Sequence, residues 1–434
     1  MIKKMISRRQ FVRSAAGVSI AVAGFPYFAP TSALAKAGGA APSNRIVMGC
    51  IGVGGRGTGI MRGFLGRDEV QVVAVCDVDK KHRDRAKKLV DDRYGNSDCA
   101  SFLDFRDVIA RKDIDALSLA MPDHWHSIPV IMGAQAGKDM YAEKPLARTI
   151  HEGRQMANAV HRYGVVWQTG SQQRSAANFH RACELVRNGR IGKVHKVEVG
   201  LPTGRGGSTL PVAPVPEGLD WDFWLGPARW RPYQAFGRNG PHWDWRWIMD
   251  YSGGQLTDWA GHHIDIAHWG LGLERTGPVE IEGKGVYPRD GIFNVPTEYK
   301  FVCRYANGVV MTVANNKQVP QGTKWYGEKG WIYVRRGKLQ ADPPDVLKEV
   351  IGPNETKLYE SRDHQGNFLD CVKSRKETIA PIEVGHRSIS VGLLGEIAML
   401  TEQKLRWDPD RERFINNDAA NNMLWRPMRS PWHL

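Results

Sequence analysis

From residue 44 onward the chain alternates short apolar runs with longer mixed segments, the pattern of strands followed by helices. Asn44-Arg45-Ile46-Val47-Met48-Gly49-Cys50-Ile51 is apolar on both sides of any pleat, as a strand covered on both faces must be. It runs into Gly52-Val53-Gly54-Gly55-Arg56-Gly57 and a helical segment to about Arg67. Val70–Asp77 predicts a second strand ending in an acid, followed by a helix over 79–93 and another near Phe105–Ala110. A third buried strand, Ala116–Ala120, ends at Met121-Pro122-Asp123-His124-Trp125-His126, and a further helix leads to Met140-Tyr141-Ala142-Glu143-Lys144-Pro145-Leu146. Strands alternating with helices predict a parallel sheet.

Farther on the rhythm changes. Residues 193–200, 279–283, 297–305 and 309–315 predict strands, the last two joined by the hairpin turn Ala306-Asn307-Gly308. Segments 363–375 and 385–403 predict amphipathic helices that close the fold. Between Leu201 and Asn239 the chain is rich in Gly, Pro and Arg and predicts a long irregular loop, covering a site or a partner subunit. About 400 mature residues exceed what one core supports. Two domains are therefore expected, a dinucleotide-binding domain over 44–168 and a substrate and oligomerisation domain over 169–434.

The first 35 residues follow a different pattern. Lys3, Lys4, Arg8, Arg9 and Arg13 form a positive region without acids, residues 14–30 are small and apolar, and Ala33-Leu34-Ala35 offers a cleavage site. Ser7-Arg8-Arg9-Gln10-Phe11 is the paired-arginine pattern of the export route that moves folded proteins. Cleavage is expected, with an uncleaved anchor as the alternative. The expected address is the periplasm, with no stable membrane insertion after cleavage. The formal charge of +14 falls to +9 once this segment, with five basic residues and no acid, is removed. Lys and Arg are scattered among acids with no basic tract interleaved with aromatics, which argues against a nucleic-acid partner and for attraction of anionic cofactors or glycans. The six cysteines show no metal or redox spacing and are expected to be buried free thiols.

The glycine loop carries the first chemistry. Gly52 allows a tight turn, Gly54 lets the backbone approach a pyrophosphate, and Gly57 permits close helix packing, with the helix N-terminus facing the phosphates. Asp77, 25 residues after Gly52, is placed to bind the adenosine ribose hydroxyls. A carboxylate there repels a 2′-phosphate, so NAD is favoured over NADP; Arg56 is the reservation, because it can pair with a phosphate. Ligands gather at the carboxyl ends of parallel strands. That rule puts Pro122 and His126, and Glu143 and Lys144, on the cofactor side.

The combination G-V-G-G-R-G, P-D-H-W-H and A-E-K-P-L resembles the glucose–fructose oxidoreductase, inositol dehydrogenase and rhizopine-catabolism (Gfo/Idh/MocA) family, in an exported twin-arginine subgroup. The family's G-G-x-L-x-D-x-G-x-H-x-x-D segment is matched by Gly253–Asp265 at Asp258, His262 and Asp265, with Ala260 where glycine is usual and a doubled histidine. The resemblance implies an N-terminal Rossmann domain and a C-terminal α/β domain with a large open, mostly antiparallel sheet. It implies that Lys144, Asp258 and His262 form the proton-transfer group, and that His126 touches the cofactor near the nicotinamide.

Oxidising a secondary alcohol requires a base for the hydroxyl proton. His262 is the expected base, Asp258 four residues earlier would orient its ring on a helical face, and Lys144 would offset alkoxide charge. His263 competes with His262 or touches substrate. His262, His263 and Asp265 also resemble a metal cluster, but hydride transfer to nicotinamide needs no metal, and none is expected. Gln172, Gln173 and Arg174 are candidates for the nicotinamide amide or substrate hydroxyls. Seven of the fifteen tryptophans fall between Trp221 and Trp259, densest at His242-Trp243-Asp244-Trp245-Arg246-Trp247. This tract fits sugar stacking, with His242 and Trp243 as substrate residues, or packing at an oligomer interface.

The expected function is oxidation of a secondary hydroxyl of a sugar or glycoside, a pyranoside C3 among the options, by a tightly held NAD in a homo-oligomer. A redox-neutral NAD-dependent glycosidase is the alternative. Relatives of that kind replace the D-x-x-x-H segment, which is intact here. Folded export can deliver a loaded site, so slow cofactor release and a second substrate or partner that resets the cofactor are expected.

Overall fold

Six short runs of the first half form strands, and all but Ala100–Phe102 bury most of their side chains. They are β1 (Ile46–Ile51), β2 (Val70–Cys76), β3 (Ala100–Phe102), β4 (Ala116–Leu119), β5 (Asp139–Ala142) and β6 (Trp167–Thr169). They pair in parallel in the order β3-β2-β1-β4-β5-β6, the doubly wound order whose reversal at β1/β4 opens a crevice at the carboxyl edge. The helices between them end where the sequence changes character. Asp79 caps Lys80–Tyr94 by accepting from Lys81 N, and Gly95, at φ +68°, closes it in the left-handed conformation. Thr149 caps Ile150–Tyr163 by accepting from Glu152 N.

The structure, a computed structural model, describes residues 44–237 and 240–434. The expected export motif and cleavage site lie outside the described residues. Among the described residues, no helix is long and apolar enough to cross a membrane. All six cysteines are buried and unpaired, as their spacing predicts.

The second sheet has nine strands: β7 (Val194–Leu201), β8 (Glu280–Val286), β9 (Glu298–Arg304), β10 (Val310–Asn315), β11 (Gly322–Gly327), β12 (Gly330–Arg335), β13 (Lys338–Asp342), β14 (Leu405–Asp408) and β15 (Arg413–Phe414). Their order is β13-β12-β11-β7-β10-β9-β8-β14-β15. β7 and β10 run parallel, and their other neighbours run antiparallel. The four strands expected from the sequence are present, and β11–β13 extend the sheet beyond them.

Two features cross the expected boundary near residue 169. Phe368, Leu369, Cys371 and Val372, on the late helix His364–Ser374, pack into the core that β1 and β2 share with the helix Gly55–Leu65. Gln365 Nε2 also donates to Ile60 O at 2.9 Å. The long helix Ile382–Thr401 is tied to Ile150–Tyr163 by the bidentate Arg154–Glu383 pair at 2.8 and 2.9 Å. Residues 45–434 accordingly pack as one compact unit on two sheets.

The expected loop over 201–239 has its own core. Trp221, Trp224, Tyr233, Trp245, Trp247 and Tyr251 are buried against one another and against Phe293 and Val295. Trp221 and Trp224 stack at 4.8 Å, and Trp224 meets Tyr251 edge-on at 5.0 Å. Backbone bonds Lys80 N to Gly218 O (2.8 Å) and Asp220 N to Val78 O (3.1 Å) dock this excursion on the end of β2.

Candidate functional site

The loop leaving β1 shows why its glycines differ. Gly52 has φ +77°, and a Cβ there would lie 2.5 Å from Ala120 O. A Cβ on Gly57 would meet Gly52 O at 1.8 Å, so helix and loop touch backbone to backbone. Packing within the chain therefore requires both. At Gly54 a Cβ would make ordinary contact with His82 at 3.4 Å, and at Gly55 it would meet nothing within 4 Å. Glycine at these two positions leaves room for a ligand. The helix beginning at Gly55 has no side-chain cap and no acid in its first turn, so its N–H groups can bond phosphate oxygens.

Asp77 holds the loop in place: Oδ2 accepts from Val53 N at 2.9 Å and Oδ1 from Asp79 N at 3.0 Å. An open backbone cradle with a carboxylate at the end of β2 fits a dinucleotide. The cavity it lines has a volume of about 1210 Å³, above the roughly 300–1,000 Å³ usual for one ligand, and leaves space for a second molecule. Pro122, Glu143, Lys144, Gln172, His242, Trp243, Asp258 and His262 also line it.

Across the cavity from the cradle, Lys144 Nζ donates to Asp258 Oδ1 at 2.9 Å and to Asp258 O at 3.1 Å. Gly261 lets Lys144 pass close by, since a Cβ there would approach Lys144 Cβ to 3.1 Å. Burial pushes the Asp258 carboxyl up, but Lys144 and Arg246 outweigh it and hold the group below the usual carboxylate value. Burial, with Lys144, Arg336 and His263, pushes His262 well below the usual imidazole value, so its ring is neutral. Its Nδ1 is buried without a hydrogen-bond partner among the described residues.

Residues 46–171 match the family profile for an oxidoreductase NAD-binding Rossmann fold, and residues 177–434 match the profile of the same family's C-terminal α/β domain. The chain belongs to the Gfo/Idh/MocA oxidoreductase family. It is similar to a myo-inositol 2-dehydrogenase from Thermotoga maritima, 24% identical over 297 residues that span 68% of this chain and 75% of that protein. A glycosyl hydrolase family 109 protein from Shewanella amazonensis is 32% identical over 160 residues, 34% of this chain and 35% of that protein. The fold matches the WlbA dehydrogenase from Bordetella pertussis, solved with NADH and UDP-GlcNAcA, with a TM-score of 0.60 and 19% identity over 84% of this chain and 99% of that one.

Within this family member, several expected residues do other work. Arg174 is buried, its Nε and Nη2 bonded to Asp265 at 2.7 and 2.8 Å, with the guanidinium 4.8 Å from the Trp269 ring centre. It is a structural ion pair and not a substrate contact. His126 is also buried, with Nδ1 2.8 Å from Pro145 O and Nε2 2.8 Å from Met121 O. With Leu146 O at 3.2 Å from Nδ1 as well, three backbone carbonyls occupy its ring, so it shapes the Lys144-Pro145 turn and does not line the cavity. His263 is stacked on Trp259 at 5.3 Å inside the core and does not reach substrate space. With Asp265 on Arg174 and His263 in the core, the three residues that resembled a metal cluster diverge.

The orienting role expected of Asp258 is also replaced. Ala260–Ile264 forms a π-turn, which adds a residue to the helical repeat between Asp258 and His262. Among the described residues no hydrogen bond joins the two, and Asp258 holds Lys144 instead. Ala260, where the family's glycine is usual, faces Gly392, whose added Cβ would approach Ala260 Cβ to 3.0 Å.

Arg56 bonds Glu143 Oε1 at 2.7 Å, and Gln172 Nε2 reaches the same oxygen at 3.1 Å. His242 lies at the end of β2 and not beside His262. Its Nε2 is 3.0 Å from Asp79 Oδ2, and its ring centre is 4.3 Å from that of His82. Burial opposes ionisation of Asp79, but the bond from His242 and that from Lys81 N bring its carboxyl down to about 2. Trp243 is half-exposed beneath the Arg246 guanidinium at 4.6 Å. Sequence reasoning missed Asn178 and Arg336 as lining residues, whereas Arg246 and Trp259 fall in the tryptophan tract it offered for sugar stacking. Arg336 had a readable signal, the Arg336-Gly337 turn between two short alternating runs.

Proposed function

We propose that the protein oxidises a ring secondary hydroxyl of a sugar or glycoside to a ketone, with C3 of a pyranoside as one candidate position and NAD, tightly held, as cofactor. The observation that carries this reading is the neutral His262 beside the Lys144–Asp258 pair, facing the glycine cradle across one cavity. The names of two similar proteins, an inositol dehydrogenase and a dehydrogenase solved with a nucleotide sugar, support the alcohol and the sugar.

Bound NAD would supply the hydride acceptor; Gly52, Gly54, Gly57 and the helix start at Gly55 would hold its pyrophosphate, and Asp77 its ribose. His262, through Nε2, takes the hydroxyl proton, which neutral imidazole can accept. Lys144 donates a hydrogen bond to the same oxygen and offsets the negative charge that grows there. Asp258 positions Lys144 through two acceptors, so that the ammonium need not reorganise during the reaction.

The proposal includes export through the twin-arginine motif to the periplasm, with a cofactor that leaves slowly and is reset in place. The test is to purify the mature protein without added nucleotide, identify what denaturation releases by mass spectrometry, and incubate it with a glycoside panel. Released NAD and ketone products are expected. Free sugar without net reduced cofactor would instead support the redox-neutral glycosidase reading, which the family 109 likeness keeps in play. Absence of both nucleotide and product would end the proposal.

A further inference from the structure

Four cations line the His262 end of the cavity: Arg56, Lys144, Arg246 and Arg336. Three of them have carboxylate partners. Arg56 pairs with Glu143 at 2.7 Å, and Lys144 and Arg246 share Asp258 at 2.9 and 3.8 Å. Arg336 pairs with no carboxylate among the described residues, and residues 1–43, 238 and 239 contain no Asp or Glu. Asp123 also lines the cavity, and burial pushes its carboxyl up to about 6.

Arg336 is held ready. It sits on the two-residue turn between β12 and β13, where Arg335 pairs with Lys338 and Gly337 takes φ +71°. Asn178 Nδ2 pins that turn by donating to Arg335 O at 2.8 Å and to Lys338 O at 3.4 Å. The guanidinium lies 4.8 Å from the Trp259 ring centre, and Trp259 in turn touches His262 at 5.4 Å. With its amide turned to satisfy both neighbours, Gln173 accepts from Arg336 Nε at 3.3 Å and donates to His262 O at 2.9 Å. Stacking and the Nε bond fix the plane of the guanidinium and leave both Nη groups without a protein acceptor among the described residues. A planar fork of this kind matches the two oxygens of a carboxylate or phosphate.

We infer that the substrate is an acidic sugar, whose carboxylate or phosphate ester pairs with Arg336 while a ring hydroxyl reaches His262 and Lys144. The inference rests on the sugar-dehydrogenase reading and narrows it.

The test compares a methyl glucoside, the matching methyl glucuronide and glucose 6-phosphate on the cofactor-loaded protein. A charge-assisted bidentate contact predicts that at least one acidic sugar exceeds the neutral one by about 10- to 100-fold in kcat/KM, mainly through KM. Arg336→Gln should collapse that ratio, and Arg336→Lys should restore part of it. Whichever anion shows the larger ratio identifies the source. Equal turnover of neutral and acidic sugars by the unmodified protein overturns the inference while leaving the dehydrogenase reading intact. So does an Arg336→Gln variant that loses cofactor and weakens all substrates alike, since the guanidinium would then face the cofactor's phosphates. If no sugar is oxidised, the dehydrogenase reading fails. Calorimetric titration with glucuronate and glucose then still decides the binding contrast, and equal affinity overturns it.

Discussion

The glycine cradle and the proposed proton-transfer cluster line one cavity, yet the chain builds them in opposite ways. Gly52, Gly54 and Gly57 lie within six residues, and Asp77 joins them from the next strand. The cluster instead gathers Lys144 from the end of β5, Asp258 and His262 from a helix with a π-turn, and Arg336 from a hairpin. Rigidity differs too. A Cβ at Gly57 would collide with backbone at 1.8 Å, whereas the cluster is held by side-chain bonds such as Lys144–Asp258. A backbone-built site is defined by what fits, and a side-chain-built site by which charges meet.

The sharpest test of that contrast is Gly57→Val. Overlap with Gly52 O should destabilise the fold by at least about 3 kcal/mol and abolish nucleotide retention, read by thermal melting and released nucleotide. Gly55→Ala, with open space around it, should melt like the parent. A Gly57→Val protein that still retained cofactor would break the comparison.

On the other side, His262→Asn should lower kcat by about 10²- to 10⁴-fold while the released nucleotide stays stoichiometric. Parent-like kcat would remove His262 as the base. Arg174→Met separates structure from chemistry, because it leaves Asp265 buried without its partner. A loss of about 3–5 kcal/mol in denaturant unfolding is expected. Unchanged stability with a raised KM would return Arg174 to the substrate.

A subtler effect is in pH. Burial, Lys144, Arg336, His263 and Arg56 all disfavour the protonated form of His262, which must be neutral to act as base. The acid limb of kcat/KM should therefore lie well below pH 6.5, and Arg336→Gln, by removing one cation, should move it upward. A downward shift would contradict the assignment. The smallest expected effect is at the far end of the cradle, where His242→Ala removes the contact to Asp79. Nucleotide release, followed by fluorescence, should quicken by about 2- to 10-fold, the size of one ordinary hydrogen bond lost; an unchanged rate would exclude His242 from cofactor retention.

Much of the first sheet was legible because strands covered on both faces are continuous apolar runs, as in Ile46–Ile51 and Val70–Cys76. β11–β13 were not, because Gly322–Gly327 and Lys338–Asp342 mix charged with apolar residues, and Lys338–Asp342 also has one side exposed. The tryptophan tract was ambiguous for a different reason. Alternating aromatic and charged residues suit a sugar and a core equally, and burial decided for the core at Trp245 and Trp247.

By itself the sequence determined the glycine loop and the succession of the first strands and helices, because glycine geometry and strand periodicity act over a few residues, and it singled out Lys144, Asp258 and His262, which the fold brings to one cavity. Tertiary structure decided what each charge meets. Arg174 finds Asp265, His126 finds three backbone carbonyls, and Arg336 finds no acid among the described residues. The physical reason is range: backbone conformation is fixed locally, whereas a side chain's charge takes its meaning from partners brought close by packing.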